Sequence, residues 1–206
     1  MRNKGFYIRD GKEYISVTTA LSIINKPALN NWRATVGIER AEEISKAGRE
    51  FGKEFHFYCE MIDKGEGWDI KVEDLTSPMR DLVDQFRAWF YANVEEVILT
   101  EQEVYSDKFL YAGRLDRVYR MKGQKGINIL DVKTAAYLDK TDYWQLAAYK
   151  YALEEDRKIK TVNRIILHAD KKAVKFSPIY LPRENDDKDF NGFLAAMQTW
   201  YRYNKD

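Results

Sequence analysis

Short apolar runs broken by turn residues open the chain, and helical three-four spacing follows. Phe6-Tyr7-Ile8 and Tyr14-Ile15 flank Asp10-Gly11. That dipeptide suits a two-residue type I′ turn, so a hairpin is predicted. Ser16 or Thr18 caps a short helix carrying Ala20, Leu21, Ile23 and Ile24, which ends near Pro27. A second helical stretch runs from Leu29 to about Lys46, with a break expected at Gly37. A third covers Arg49 to about Ile62 and contains Phe51, Phe55, His56 and Cys59. The glycines and charges of Lys64 to Ser77 read as a loop. Pro78 then starts a long helix to about Asn93, whose Met79, Leu82, Val83, Phe86, Trp89 and Phe90 keep the helical period.

After Asn93 the pattern changes to strands. Val97 to Tyr105, Leu110 to Arg120 and Ile127 to Val132 are rich in β-branched and aromatic residues, and Lys122-Gly123-Gln124-Lys125-Gly126 turns between the last two. Thr141 to Glu155 is helical, Val162 to Ala169 and Ala173 to Tyr180 are strands, and Asp186 to Tyr203 is a terminal helix. Phe190, Phe193, Leu194, Met197, Trp200 and Tyr201 give that helix one apolar face, which belongs in a core. The order of elements predicts an α/β domain on a small mixed sheet. One domain over 1–206 is expected, with a hairpin and helical part (1–95) before an α/β core (96–206).

Composition narrows the classes. The 206 residues suffice for a core without staples, and 45% of them are hydrophobic. Cys59 is the single cysteine, which excludes an internal disulfide and a four-cysteine zinc or iron–sulfur site within one chain. No run approaches a membrane span, and Met1 to Asp10 is too polar for a signal peptide. A soluble, cytoplasmic protein is expected. The formal net charge of +1 advertises no polyanionic partner. Local basic groups (Arg157, Lys158 and Lys160; Lys171, Lys172 and Lys175) read first as solvated surface.

The candidate chemistry lies in the strands. Asp131 and Lys133 alternate with Val132, so the two polar side chains share one face while Val132 enters the core. If their strand pairs with the preceding one through the glycine turn, Asp116 approaches Asp131. Two adjacent carboxylates repel unless a cation intervenes, and an oxygen-liganded Mg²⁺ or Mn²⁺ fits. Lys133 beside them is suited to orient water or to neutralise phosphoryl charge. Gly113 marks a bulge or a close backbone approach. His56 is a candidate third ligand, with Gly52 one helical turn earlier leaving room beside the imidazole. Alone, it reads first as a core histidine. Gln145 and Tyr149, four apart on a helix, either bind phosphate, hold Lys133 or simply pack. Glu103 is a further strand carboxylate that either supports the site or is a surface charge. His168 reads as structural.

Together these residues resemble the RecB-like branch of the PD-(D/E)XK nuclease superfamily. Gly52-Lys53-Glu54-Phe55-His56, Gly113-Arg114-Leu115-Asp116, Ile129-Leu130-Asp131-Val132-Lys133-Thr134 and Gln145-Leu146-Ala147-Ala148-Tyr149 match its four motifs in order. Ser16-Val17-Thr18-Thr19 and Leu29-Asn30-Asn31-Trp32 are similar to the start of compact exonucleases related to the mitochondrial genome-maintenance exonuclease. The resemblance implies a restriction-endonuclease-like core with an N-terminal helical elaboration. It implies metal ligation by His56, Asp116, Asp131 and the Val132 carbonyl, with Lys133 catalytic. Gln145 and Tyr149 would position DNA or the lysine. It also implies a Mg²⁺- or Mn²⁺-dependent DNA exonuclease without an iron–sulfur cluster. Single-stranded ends are the favoured substrate, threaded under an arch formed by the helices of Val17 to Ile62 and Pro78 to Asn93. The setting would be viral or bacterial repair or recombination, a phage gene included. An endonuclease, a duplex-end nuclease and an idle nucleic-acid-binding module are the alternatives.

Overall fold

A computed structural model describes residues 2–3 and 5–204 of the chain. Three short strands, β1 (Arg2–Asn3), β2 (Phe6–Arg9) and β3 (Lys12–Ser16), come first. Asp10 and Gly11 both take positive φ between β2 and β3, as the hairpin required. Helices α1 (Val17–Leu21), α2 (Pro27–Val36), α3 (Ile38–Asp63) and α4 (Met79–Asn93) follow. Strands β4 (Val94–Ser106), β5 (Tyr111–Met121) and β6 (Ile127–Lys133) lead to α5 (Lys140–Arg157). Strands β7 (Thr161–Asp170) and β8 (Lys175–Leu181), then α6 (Asp186–Asn204), complete the described elements.

Local chemistry explains most boundaries. The Ser16 side chain accepts the Thr19 N–H and caps α1. Pro27 opens α2 rather than merely ending what precedes it. Gly37, at φ 86°, separates α2 from α3. The expected gap between Lys46 and Arg49 is absent: Gly48 stays helical and α3 runs for 26 residues. Its glycines are tolerated because Phe55, Cys59 and Ile62 anchor its second half in the core. Asp139 and Asp142 form a capping box on α5.

All eight strands join one mixed sheet in the order β1-β2-β3-β5-β6-β7-β8, with β4 on the other edge of β5. This is a restriction-endonuclease-like α/β arrangement. One face packs α1, α5 and α6 through Leu146, Ala147, Leu153, Phe193 and their neighbours. The opposite face packs α3 and α4 through Phe55, Leu82, Phe86 and Val132. Phe190, Phe193 and Met197 are core residues, as their spacing predicted.

Strand β5 is the branch point. Strand β4 pairs along its whole length, from Ser106↔Tyr111 to Val94↔Met121. On the other edge, β3 meets only Tyr111 and Ala112, in parallel, and β6 meets Arg117 to Arg120, antiparallel. Gly113 to Asp116 therefore have no strand partner on that edge. The strand also changes phase there. Tyr111, Gly113 and Leu115 face the α5 side, whereas Arg117, Tyr119 and Met121 face α3 and α4.

Arg117 is fully buried by this change of phase, with Nε 2.8 Å from Asp63 Oδ2 at the end of α3. Tyr119 Oη also donates to Asp63. A buried pair contributes little net stability, but removing one member strands the other charge. Asp63→Ala is expected to lower unfolding free energy in urea by about 3–5 kcal/mol, with Asp63→Ala/Arg117→Met recovering most of the loss.

Candidate metal centre

The unpaired stretch of β5 is where the polar residues converge. Asp116, at the end of the β5–β6 ladder, accepts the Val132 N–H through Oδ2 at 2.7 Å. That bond replaces the next rung of the ladder and fixes Asp116 beside the Asp131–Lys133 segment. Three residues earlier, Gly113 is required by contact: a Cβ there would run into the ring of Tyr149. On α3, a Cβ at Gly52 would lie 3.0 Å from Thr134 Oγ1, so the glycine lets the helix approach the end of β6.

That approach brings in His56. Its Nε2 lies 3.2 Å from the Val132 carbonyl and, facing an acceptor, donates to it. Nδ1 then points at two carboxylates, 3.6 Å from Glu101 Oε1 and 3.7 Å from Asp116 Oδ2. Burial alone lowers the pKa of the imidazole, but Asp116 and Glu101 outweigh it and the net direction is upward. The ligand atoms of His56, Glu101 and Asp116 lie within 4.8 Å of one another.

Asp131 is 1% exposed. Lys133 Nζ is 2.6 Å from its Oδ2, an ion-pair contact, yet neither Asp131 oxygen receives an aligned hydrogen bond. Burial pushes the carboxyl up to about 7, with Asp116 adding to the rise and Lys133 opposing it. A buried carboxylate held by a single lysine contact, beside a second carboxylate, fits a divalent cation with oxygen ligands. Lys133 is itself held: Nζ donates to Gln145 Oε1 at 3.1 Å, and Gln145 Nε2 donates to Tyr149 Oη at 3.1 Å. Burial lowers the lysine pKa, but Asp131 and Asp116 raise it further, so the ammonium form is favoured.

The structure thus gathers His56, Asp116, Asp131, Val132, Lys133, Gln145 and Tyr149 at one end of the sheet. Glu103 stands apart from this group. It is exposed, accepts from Tyr105 Oη at 2.6 Å, and pairs in register with Arg114. Glu101 is the β4 carboxylate that reaches His56 and Asp116, and the sequence reading missed it. Counting back along β4 from the Ser106–Tyr111 pair would have found it, because that register sets Glu101 across from Asp116. Glu101 also takes a positive φ of 52°, uncommon for a non-glycine residue. His168 donates to the Ala135 carbonyl at 2.7 Å, in keeping with a structural histidine.

A restriction-endonuclease-like sheet with clustered carboxylates and a lysine at the splayed ends of two strands defines a nuclease class. The sequence profile of the PD-(D/E)XK nuclease superfamily matches residues 34–203, and the chain belongs to that superfamily. It is therefore a nuclease acting on nucleic acid, in a superfamily that uses divalent metals. No curated protein matches the chain. Among solved structures, a candidate exonuclease from Eubacterium rectale is similar over 92% of this chain and 80% of its own, at 13% identity and a TM-score of 0.53. That likeness is one of fold. The protein SSO0001 covers 97% of this chain and 80% of its own at 11% identity, with a TM-score of 0.47. No helix among the described residues is long and apolar enough to cross a membrane.

Metal binding has a direct thermal readout. Mn²⁺ at about 100 times its Kd is expected to add about 2.7 kcal/mol of stability, or roughly 5–10 °C in Tm for a chain of this size. EDTA should reverse the shift, and Asp116→Ala should show none in the same thermal scan.

Proposed function

We propose that this chain is a Mg²⁺- or Mn²⁺-dependent DNA exonuclease that works from single-stranded ends in repair, recombination or replication. The observation that carries the reading is the setting of the site. His56, Val132 and Lys133 line a cleft of about 1070 Å³, together with Arg33, Arg49, Lys53, Arg114 and Lys171. Helices α2 and α3 form one wall. Thr134, Ala135, Ala136 and Lys171 line the cleft as well, with Thr134 and Lys171 close against α3. Leu29 and the exposed Phe57 add apolar surface suited to unpaired bases. Helix α2 buries none of its residues, as befits a roof over a substrate rather than a packed layer. Exposed apolar side chains among the basic ones favour an unpaired strand, whose bases are free to stack, and the exonuclease name of the Eubacterium rectale protein agrees with end-directed action.

In this reading His56, Glu101, Asp116, Asp131 and the Val132 carbonyl hold the metal. The bound ion supplies Lewis-acid stabilisation of phosphoryl charge and a more acidic water. Lys133 orients the attacking water and offsets charge on the phosphate oxygens. Gln145 and Tyr149 fix the lysine, so its ammonium is placed before substrate arrives. Glu103 lies in a neighbouring cleft and would steer the strand rather than touch the reacting bond. The resemblance to RecB-like and mitochondrial-type exonucleases belongs to this proposal, as does a single domain over the whole chain.

The test is digestion of end-labelled single-stranded, double-stranded and circular single-stranded DNA with Mg²⁺, Mn²⁺ or EDTA. Linear single strands should be degraded, circles spared and EDTA inhibitory. Lys133→Ala should lower the rate by about 10²–10³-fold. Cleavage of circles would replace the exonuclease reading with an endonuclease one. Activity that survives both EDTA and Lys133→Ala would overturn the mechanism.

A further inference from the structure

Arg114 is a candidate for a role that the motif spacing does not give it. It occupies an internal, variable position of the Gly113-x-x-Asp116 segment, and its register partner across β4 is Glu103. The side chain turns away from that partner. Its Nε donates to the Glu101 carbonyl at 3.1 Å and lies 2.9 Å from Glu101 Oε2. The other oxygen of the same carboxylate is the one 3.6 Å from His56 Nδ1. Arg114 therefore neutralises a member of the metal cluster from outside, while its own side chain stays 56% exposed.

Its surroundings suit a second partner. Arg114 lines the cleft containing His56 and Lys133, and also a second cleft of about 600 Å³ lined by Arg9, Gln102, Glu103, Tyr105 and Arg157. It stands at the border between them, beside any strand that runs past the metal centre. A divalent ion among His56, Glu101 and Asp116 brings two positive charges to the carboxylate that Arg114 now neutralises. The two cations repel, and the ion, with three ligands, outcompetes one guanidinium. A displaced guanidinium at this border has a planar fork of donors that matches phosphate oxygens.

We infer that Arg114 is a metal-released phosphate contact: it holds Glu101 while the ion is away, competes with the ion for that carboxylate, and once displaced grips a backbone phosphate of the nucleic acid beside the bond being cut. This rests on the nuclease reading above and on a metal held at His56, Glu101 and Asp116. It goes further in giving a surface arginine two alternative anionic partners, selected by metal.

Two measurements on the full chain test it, neither of them activity. Mn²⁺ affinity is read by calorimetry for wild type, Arg114→Ala and Arg114→Lys. Affinity for a fluorescent single-stranded oligothymidylate is read in saturating Mn²⁺ across a salt series, each variant in a Lys133→Ala background so that the DNA is not consumed. Arg114→Ala should bind Mn²⁺ about fivefold tighter, because a competitor is gone. It should bind the DNA about tenfold more weakly, with the slope of log affinity against log salt smaller by about 0.7. Arg114→Lys should keep the salt slope and lose part of the affinity. If Arg114 merely props Glu101 in place, Arg114→Ala weakens Mn²⁺ binding instead, and that result overturns the inference. Unchanged Mn²⁺ affinity, or unchanged DNA affinity and slope, overturns it equally. Those failures leave the nuclease reading standing. A wild-type chain that binds no Mn²⁺ would remove both the metal centre and this use of Arg114.

Discussion

Three carboxylates, Glu101, Asp116 and Asp131, are forced together at one end of the sheet, and three cationic side chains and one imidazole make that tolerable. His56 comes from α3, Arg114 and Arg117 from β5, and Lys133 from β6. Each lies within ion-pair distance of at least one of the three acids. The surrounding fold delivers these charges. Asp131 is the most buried of the three, and Lys133 Nζ lies 2.6 Å from its Oδ2 without an aligned hydrogen bond to either oxygen. Burying a carboxylate costs free energy that a single ion pair offsets only in part. In the proposed metal centre, a bound ion would offset the remainder.

Asp116 links that electrostatic constraint to the backbone. Antiparallel pairing of β5 and β6 stops at Arg117↔Leu130, and the Asp116 side chain takes the Val132 N–H where backbone pairing would otherwise continue. One carboxylate oxygen therefore does structural duty and also faces His56. The splay it bridges leaves Gly113 to Asp116 without a neighbour strand on that edge, and the Tyr149 ring fills part of the gap against Gly113. Tyr149 in turn holds Gln145, and Gln145 holds Lys133. The glycine of one motif and the tyrosine of another are joined by contact, which explains why they act as a set.

Features with a local signature were readable in the sequence. Asp10-Gly11 specified its hairpin, Gly37 its helix break, and the alternation of Asp131, Val132 and Lys133 set which two residues share a face. Four-residue spacing put Gly52 with His56 and Gln145 with Tyr149. Other features depended on distant partners. Gly48 looked like part of a boundary but lies within a 26-residue helix, because burial of the second half of α3 outweighs local propensity. Nothing in the local sequence singles out Arg117 as a buried residue. Its burial against Asp63, 54 residues earlier in the chain, follows only from the change of phase near Asp116.

Glu101 shows why a strand reading favoured the wrong carboxylate. Regular alternation treats Glu101 and Glu103 as equivalent positions on one face of β4. A positive φ at Glu101 breaks that equivalence just opposite the phase change in β5. The two irregularities sit across from each other, and together they turn Glu101 toward His56 while Glu103 stays exposed beside Tyr105. The strained φ of Glu101 falls where the carboxylates gather, and β4–β5 pairs on either side, Thr100↔Arg117 and Gln102↔Leu115, hold it there.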